Sequence, residues 1–330
     1  MEAEMHKCSL WLCGIIHLFI VMTAVTPVAG QPKPYPPWHP FKSEKCRQKY
    51  LEYYNAREKE WPVPFESKMV TTDCGKTYVR ICGPVDGPPL VLMPGVGSSS
   101  LDWMPFVAPL SAQYRVYLID KINDIGLSVN SRPIKTADDI VGWLDELFTA
   151  LSLKNNINIM GSSYGGWFAS QYALKHPDRV GKIVLMSPAG TVRAPKTELF
   201  IRALLGLVNR RFALDFSIWL AGDWALDRDK DKLRIMEKDI LETRMQWRCF
   251  KSHPMVSPTV LSDDELQSLH MPVLFLDGEK NHVTSVPKAV ARLKKVVPHY
   301  AITIIPGAGH TFRGHEDEVT SSVLTFLGEP

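Results

Sequence analysis

The sequence predicts an α/β domain in which a mostly parallel, doubly wound sheet carries helices on both faces. From Leu90 onward, short runs rich in Val, Ile and Leu alternate with stretches that have helical periodicity. Such apolar runs are typical of strands buried on both faces, and their alternation with helices is typical of parallel sheets. A chain of 330 residues, 45% of them hydrophobic and 22% charged, can bury the large core that this architecture needs.

The predicted elements follow one another without an internal repeat. Residues 67–72 and 76–81 flank a turn and predict a β-hairpin. The predicted buried strands are residues 90–93, 115–120, 157–160, 182–186, 273–276 and 301–305. The clearest helix start is at Thr136, a capping residue that precedes apolar side chains at helical spacing.

One interval is too long for a simple crossover between strands. From residue 189 to about residue 269 there is no strand signal, only helical stretches that carry Trp219, Trp224 and Trp247. We expect a lid at about residues 190–265, inserted into a main domain of residues 65–330. The alternative is a second helical unit with a purely structural role.

The N-terminal 64 residues divide into a leader and an arm. Residues 8–30 contain no charged side chain and end in Val28-Ala29-Gly30, which predicts a signal peptide at residues 1–30 that is cleaved before Gln31. The protein would then be secreted or lumenal. Because about 20 apolar residues also span a bilayer, an uncleaved signal anchor is the alternative, and it is the only membrane contact predicted. Residues 31–64 form a proline-rich arm and a short helix, at about residues 42–60.

Removal of the leader leaves four cysteines, Cys46, Cys74, Cys82 and Cys249. An even number in an oxidising compartment is compatible with disulfides. Cys74 and Cys82 lie at opposite ends of one predicted strand, too far apart to pair with each other, so bonds to Cys46 or Cys249 are favoured. Four free thiols are the alternative.

Charge and motifs exclude several classes of ligand. With 38 Lys and Arg against 35 Asp and Glu, and no long basic run, the chain has no nucleic-acid footprint. It contains no GxxxxGK[ST], GxGxxG or HExxH motif, and its mature cysteines lack metal-ligand spacing. We therefore expect a small-molecule substrate and neither a cofactor nor a metal; the oligomeric state is not fixed by any feature.

The predicted strand at residues 157–160 leads into a candidate nucleophile. Gly161-Ser162-Ser163-Tyr164-Gly165 matches GxSxG with Ser163 at its centre, and a helical stretch follows. Strand, GxSxG and helix in this order form a nucleophile elbow, a tight turn that raises the serine hydroxyl above the sheet. Ser162 is the less suitable nucleophile because it occupies a variable position of the motif.

A serine nucleophile needs a base, which in this arrangement follows the final strand. His310 comes there, after a glycine-rich turn, whereas His282 and His315 are weaker candidates. The oxyanion needs backbone donors, which the glycine-rich turn after residues 90–93 can supply; Val96 and Tyr164 are the expected pair of N–H groups. An ordinary turn is the alternative reading of that segment.

These motifs together resemble a known family. The stretches YRVYLIDKINDIGLS, WLDELFTALSL, MGSSYGGW, LMSPAGT, LSDDELQSLHMPVLFLDGEKN and PGAGHTF are similar in order and spacing to α/β-hydrolase-fold serine hydrolases, and in particular to bacterial carboxylesterases. The resemblance covers residues 69–327. It implies an eight-stranded, mostly parallel sheet, a helical lid after strand six, and hydrolysis of a small or lipid-like ester through an acyl-enzyme.

One position departs from the family pattern. The triad's acid in that family follows strand seven in a GExD or GExE stretch, where this chain has Asn281. We expect Asn281 to orient His310 without a charge, with Glu279 and Asp277 as alternative acids. Because an amide cannot stabilise an imidazolium electrostatically, the alternative function is a weakened or inactive hydrolase that binds a ligand.

Overall fold

The computed structural model describes residues 39–251 and 255–329, which form one sheet with helices on both faces. The predicted leader and the residues of the arm up to 38 lie outside the described residues. Within the described ranges, no helix combines the length and the apolar character needed to cross a bilayer.

The sheet contains eight strands in a continuous path and a ninth, very short strand beside it. The strands are β1 (Phe65–Thr72), β2 (Gly75–Cys82), β3 (Pro89–Met93), β4 (Arg115–Ile119), β5 (Val129–Asn130), β6 (Ile157–Ser162), β7 (Val180–Met186), β8 (Val273–Gly278) and β9 (Ala301–Ile305). Their order is β1-β2-β4-β3-β6-β7-β8-β9, and β5 pairs with β2. Strands from β4 to β9 along this path are parallel, while β2 is antiparallel to its neighbours. The predicted mostly parallel sheet is confirmed.

Helices cover the sheet and extend from one of its ends. They are α1 (Glu44–Glu58), α2 (Met104–Ser111), α3 (Ala137–Ala150), α4 (Tyr164–Lys175), α5 (Thr197–Val208), α6 (Arg210–Ala221), α7 (Lys230–Cys249), α8 (Asp263–Ser268), α9 (Val286–Val296) and α10 (Glu316–Gly328). The predicted start of α3 is confirmed: Thr136 and Asp139 form a reciprocal capping box.

Two apolar layers bury the faces of the sheet. Trp143 and Trp167 lie in the layer on one face, and Trp103 and Phe312 lie in the layer on the other. Because the strands from β4 to β9 along the sheet are parallel, their carboxyl ends all lie at one edge, and the apolar layers on both faces hold them there. The loops after β3, β6, β8 and β9 therefore emerge from this edge as neighbours.

The insertion between β7 and β8, which we call the lid segment (residues 190–265), contains α5, α6 and α7. Its α6 end is joined to the loop after β9 by a bridge between Gly222 and Ala308. Its α7 end is joined to the N-terminal arm, where the Lys42 N–H donates to the Cys249 carbonyl at 2.7 Å. The lid segment thus contacts both the edge of the sheet and the arm.

The four cysteines of the described chain are free thiols, so the favoured disulfides from Cys74 or Cys82 to Cys46 or Cys249 are absent from it. The reason is their placement. Cys74 and Cys82 belong to the apolar layers on opposite faces of the sheet, while Cys249 packs in a third cluster with the arm. Cys46 packs against that same third cluster, and its thiol donates to the Arg248 carbonyl at 3.8 Å.

Candidate active site

Ser163 lies in the turn between β6 and α4, with φ 50° and ψ −111°. A non-glycine residue in this region is strained by about 1–3 kcal/mol and persists only when its surroundings hold it. Here the Ser163 N–H donates to the Met186 carbonyl at 2.9 Å, and the Ser163 carbonyl accepts from Gly166 at 3.0 Å and Ala189 at 3.1 Å. The sheet and helix thus fix the backbone of the predicted nucleophile.

Glycines allow the elbow to pack this tightly. A Cβ atom at Gly161 would lie 2.2 Å from the Gly165 carbonyl oxygen, and one at Gly165 would lie 2.1 Å from the Met93 carbonyl oxygen. A Cβ at Gly95 would be 3.5 Å from the Ser163 Cβ, so the loop after β3 passes beside the nucleophile. Side chains at the two GxSxG glycines would force the turn apart.

The structure brings His310 to Ser163. The His310 Nε2 atom lies 3.0 Å from the Ser163 Oγ atom, which is hydrogen-bond distance for a base and its nucleophile. The loop that carries His310 approaches the lid segment closely, because a Cβ at Gly309 would lie 2.3 Å from the Gly222 nitrogen. His310 is therefore placed by β9 on one side and by the end of α6 on the other.

The two weaker histidine candidates are elsewhere. His282 stacks on Trp219 with ring centroids 5.7 Å apart. The Nδ1 atom of His315 lies 3.5 Å from the carboxylate of Glu318. Neither ring has a hydrogen bond to Ser163 in the described chain.

Burial lowers the pKa of His310 to about 4. The ring is therefore neutral at pH 7 and can accept a proton, but the imidazolium that catalysis forms is disfavoured. In the described part of the chain, His310 Nδ1 is buried and has no hydrogen-bond partner. In that part of the chain no carboxylate accepts a hydrogen bond from Nδ1, so the imidazolium lacks this stabilisation.

In the described chain the side chain of Asn281 makes its hydrogen bonds to residues other than His310, contrary to the expectation from the family pattern. Its Nδ2 donates to Asp277 Oδ1 at 2.7 Å, and its Oδ1 accepts from the Val283 N–H at 2.9 Å. The side chain is buried and both ends of the amide are engaged within its own loop. The amide at the acid position therefore holds the loop after β8 rather than the imidazole.

Neither alternative acid has a hydrogen bond to His310. Asp277 Oδ1 accepts from Ser187 Oγ and from the Gly278 N–H, both at 2.8 Å, and burial raises the Asp277 pKa to about 6. Glu279 is exposed, and its Oε2 accepts from the Gly307 N–H at 3.0 Å. Glu279 thus contacts the turn that leads to His310 without reaching the ring.

Of the two predicted oxyanion donors, Tyr164 directly follows Ser163 and Val96 directly follows Gly95, where a Cβ would lie 3.5 Å from the Ser163 Cβ. Val96 is half-exposed in the loop after β3, and Tyr164 is the first residue of α4, where the positive end of the helix dipole favours an anion. The Tyr164 hydroxyl donates to the Val256 carbonyl at 2.6 Å, which ties the elbow to the end of the lid segment.

A buried ion pair that the sequence reasoning missed supports the loop after β3. Lys121 Nζ donates to the Gly95 carbonyl at 2.5 Å and to the Ser98 carbonyl at 3.2 Å, and it lies 3.1 Å from Asp124. Asp124 in turn accepts from the Gly97 N–H at 3.1 Å. Lys121 and Asp124 therefore fix the loop on both sides of Val96. Their signal in the sequence was a lysine directly after a predicted buried strand.

A cavity of about 370 Å³ opens against the lid segment. Trp219 and Ile218 provide apolar surface in it, Arg202, Arg228 and His282 provide nitrogen atoms, and Asp215 and Asp223 provide carboxylates. Ser163 is not among its lining residues. Within residues 39–251 and 255–329, no group of three or more His, Cys, Asp or Glu side chains is arranged to hold a metal ion.

Comparison with known proteins agrees with this geometry. The model of the alpha/beta hydrolase fold family matches residues 88–312. Carboxylesterase YbfK of Bacillus subtilis is 31% identical over 84% of this chain and 94% of its own, and the uncharacterized carboxylesterase nap of the same organism is 30% identical over 79% and 86%. The crystal structure of naproxen esterase (carboxylesterase NP) from Bacillus subtilis superposes with a TM-score of 0.79, at 29% identity, over 87% of this chain and 100% of that one.

Proposed function

The chain belongs to the α/β hydrolase fold family and is a carboxylesterase-like hydrolase, and from this premise we propose that it cleaves a carboxylic ester of a small or lipid-like substrate through an acyl-enzyme on Ser163. The observation that carries the proposal is the 3.0 Å hydrogen bond between Ser163 Oγ and His310 Nε2. This hydrogen bond joins the predicted nucleophile, Ser163, to a base that is neutral at pH 7.

The chemistry follows from the position of each group. His310 Nε2 accepts the Ser163 proton as Oγ attacks the ester carbonyl, and the backbone N–H groups of Val96 and Tyr164 donate to the oxyanion. The imidazolium then protonates the leaving alkoxide, and an acyl group remains on Ser163. A water molecule, deprotonated by His310, attacks the acyl carbon, and the proton returns to Ser163 as the acid leaves.

In the described residues no carboxylate contacts His310 Nδ1, where the third member of the usual triad would stand. Replacing the triad's aspartate by asparagine in a serine protease lowers kcat by about 10⁴, because the histidine adopts the wrong tautomer and its cation is unsupported. The unpartnered His310 Nδ1 puts this protein in a similar position. We therefore expect slow turnover, and the same atom supports the second candidate, a ligand-binding protein without turnover.

A fluorophosphonate distinguishes the two functions. An activated Ser163 is phosphonylated and Ser163→Ala abolishes both labelling and hydrolysis of p-nitrophenyl acetate, whereas the matched control Ser162→Ala retains both. Labelling that survives Ser163→Ala would exclude Ser163 as the nucleophile. A wild-type chain that is neither labelled nor active would support the ligand-binding function.

We also propose that residues 1–30 direct the chain into the secretory pathway, since their run of uncharged residues ends in small side chains. N-terminal sequencing after expression in a secretory host should find a soluble protein that begins near Gln31. An intact N-terminus in the membrane fraction would indicate the signal anchor instead.

A further inference from the structure

Helix α5 of the lid segment turns its large apolar side chains away from the protein. Its inward face consists of Leu199, Arg202, Ala203 and Gly206, which are half-buried, and none of its twelve residues is fully buried. A Cβ at Gly206 would lie 3.4 Å from the Ala213 Cα atom, so α5 rests on α6 through small residues. This is the reverse of a helix that packs its apolar stripe on a core.

The outward face forms a continuous apolar surface, which we call the α5 patch. Its members are Phe200, Ile201, Leu204, Leu205, Leu207, Val208 and, at the start of α6, Phe212. Each is between 39% and 69% exposed. Single exposed apolar residues need no explanation, but a cluster on one helix indicates a binding surface for a partner or a membrane.

Basic side chains stand at both ends of the α5 patch. Lys196 precedes α5, Arg210 and Arg211 follow it, and all three are exposed; the Arg210 guanidinium is paired with the Glu237 carboxylate of α7. The one acidic side chain between residues 196 and 212, Glu198, is paired with Arg202 at 2.7 Å. A helix with an apolar face and flanking cations has the composition of an interfacial helix that binds anionic lipid.

The same charges argue against a second copy as the occupant. In a two-fold interface each patch meets itself, which would bring the exposed Lys196 and Arg211 side chains of the two copies together. Like charges at an interface are unfavourable. An anionic lipid surface accommodates the apolar face and the cations together.

We propose that α5 and the start of α6 dock on an anionic phospholipid membrane, with the α5 patch in the boundary between headgroups and acyl chains. Lys196 and Arg211 face the lipid phosphates. Since the end of α6 is bridged to Ala308, two residues before His310, docking would place the candidate active site next to the bilayer. The proposal goes beyond ester hydrolysis and does not require turnover.

Vesicle binding tests the proposal with the full-length chain. We expect cosedimentation with vesicles of phosphatidylcholine and phosphatidylglycerol, and much weaker binding to phosphatidylcholine alone. Leu204→Ser with Leu205→Ser should weaken binding about tenfold or more, because two leucines no longer enter the bilayer. The control, Met69→Ser with Val85→Ser, removes two exposed apolar residues outside the lid segment and should bind like the wild type. Equal loss in both double variants, or in neither, would contradict the proposal.

A site-resolved measurement separates α5 from the leader, which is itself apolar. An environment-sensitive fluorophore on Leu204→Cys should shift to the blue on vesicles that contain phosphatidylglycerol, while the same fluorophore on Val85→Cys should not; labelling of the unsubstituted chain is subtracted. No shift at residue 204 would overturn the proposal. A spectrum that is blue-shifted without lipid would also overturn the proposal. If that shift depends on protein concentration, a second copy covers the α5 patch; if it does not, the leader covers it.

Discussion

At the scale of single residues, the main question is how His310 functions without a carboxylate. Asn281 occupies the family's acid position, but its amide donates to Asp277 at 2.7 Å. Changing Asn281 to aspartate alone would therefore place a second carboxylate beside a buried one. Since two adjacent carboxylates cannot both ionise easily, the new acid would share a proton with Asp277 instead of supporting the imidazolium.

We predict that exchanging the two side chains is more effective than the single change. In Asp277→Asn with Asn281→Asp, the Oδ1 atom of residue 277 can still accept from Ser187 and Gly278, and residue 277 no longer carries a negative charge beside the carboxylate at 281. This double variant should raise kcat for p-nitrophenyl acetate about tenfold or more above the wild type, a fraction of the effect that a triad aspartate has in serine proteases. Asn281→Asp alone should gain less.

Glu279→Gln is the control for that series. Because Glu279 contacts Gly307 and not His310, its loss should leave kcat nearly unchanged. A strong loss of kcat in Glu279→Gln, together with no gain in the double variant, would identify Glu279 as the acid in the substrate complex.

The pH dependence of the reaction gives a second residue-scale prediction. The base must be neutral, and burial lowers the pKa of His310 to about 4, so kcat/KM of the wild type should fall only as the pH approaches 4. A carboxylate beside the ring would favour the imidazolium and raise that pKa. The acid limb of kcat/KM should therefore move toward neutral pH in the double variant. An identical limb in both proteins would mean that residue 281 does not interact with His310.

The sequence predicts some of the site because its motifs specify backbone geometry. Ser163 and His310 follow strands and lie among glycines that tight turns require, and their hydrogen bond is formed as the order of the strands implies. The bonds of Asn281 to Asp277 and Val283 depend on the fold of one loop, which no periodicity encodes. Lys121 was missed for the same reason, since its partners are carbonyl oxygens of another loop.

At the scale of elements, buried strands and capped helices are the features that the sequence predicts well. The two-residue strand β5 is too short to produce a pattern. The orientation of α5 was also beyond prediction, because periodicity identifies the residues that share a face but not which face is turned inward.

The contact between α1 and α7 supports a prediction about the cysteines. Cys46 and Cys249 belong to the same apolar cluster, and burial together with the neighbouring Cys46 thiol raises the Cys249 pKa to about 11. Oxidised glutathione should join these two sulfurs and release two molecules of reduced glutathione. The reaction should be slow at pH 7 because little thiolate is present, and faster at pH 9.

Peptide mapping without reduction checks this prediction. A peptide that links residues 46 and 249 should appear, while Cys74 and Cys82 remain thiols because they lie in opposite apolar layers. Cys46→Ser should eliminate the linked peptide. A bond from either Cys74 or Cys82 to Cys249 would contradict the packing of the arm against the lid segment.

At the scale of the whole molecule, the lid segment and the arm meet around a buried carboxyl group. Glu242 of α7 accepts a hydrogen bond from the Tyr53 hydroxyl of α1 at 2.9 Å and lies 3.6 Å from Arg57. Burial, and then the nearby charge of Asp102, raise the Glu242 pKa to about 8, against the effect of Arg57. The protonation of Glu242 is therefore coupled to the packing of α1 against α7.

We predict that this coupling makes the free energy of unfolding depend on pH. Because the folded pKa of Glu242, about 8, lies above the ordinary value of 4.5, the folded state binds more protons than the unfolded state between these values. Stability from this group is fully present below pH 4.5 and is lost as the pH rises to 8.

Glu242→Gln, which can still accept from Tyr53, should remove that loss: relative to the wild type, its Tm should rise progressively from pH 5 to pH 8. Glu44→Gln, a change at an exposed position of α1, is the control and should follow the wild type. A Tm difference between Glu242→Gln and wild type that stays constant over this range would mean that Glu242 is ionised in the folded protein, so that the contact between arm and lid holds a buried charge pair with Arg57.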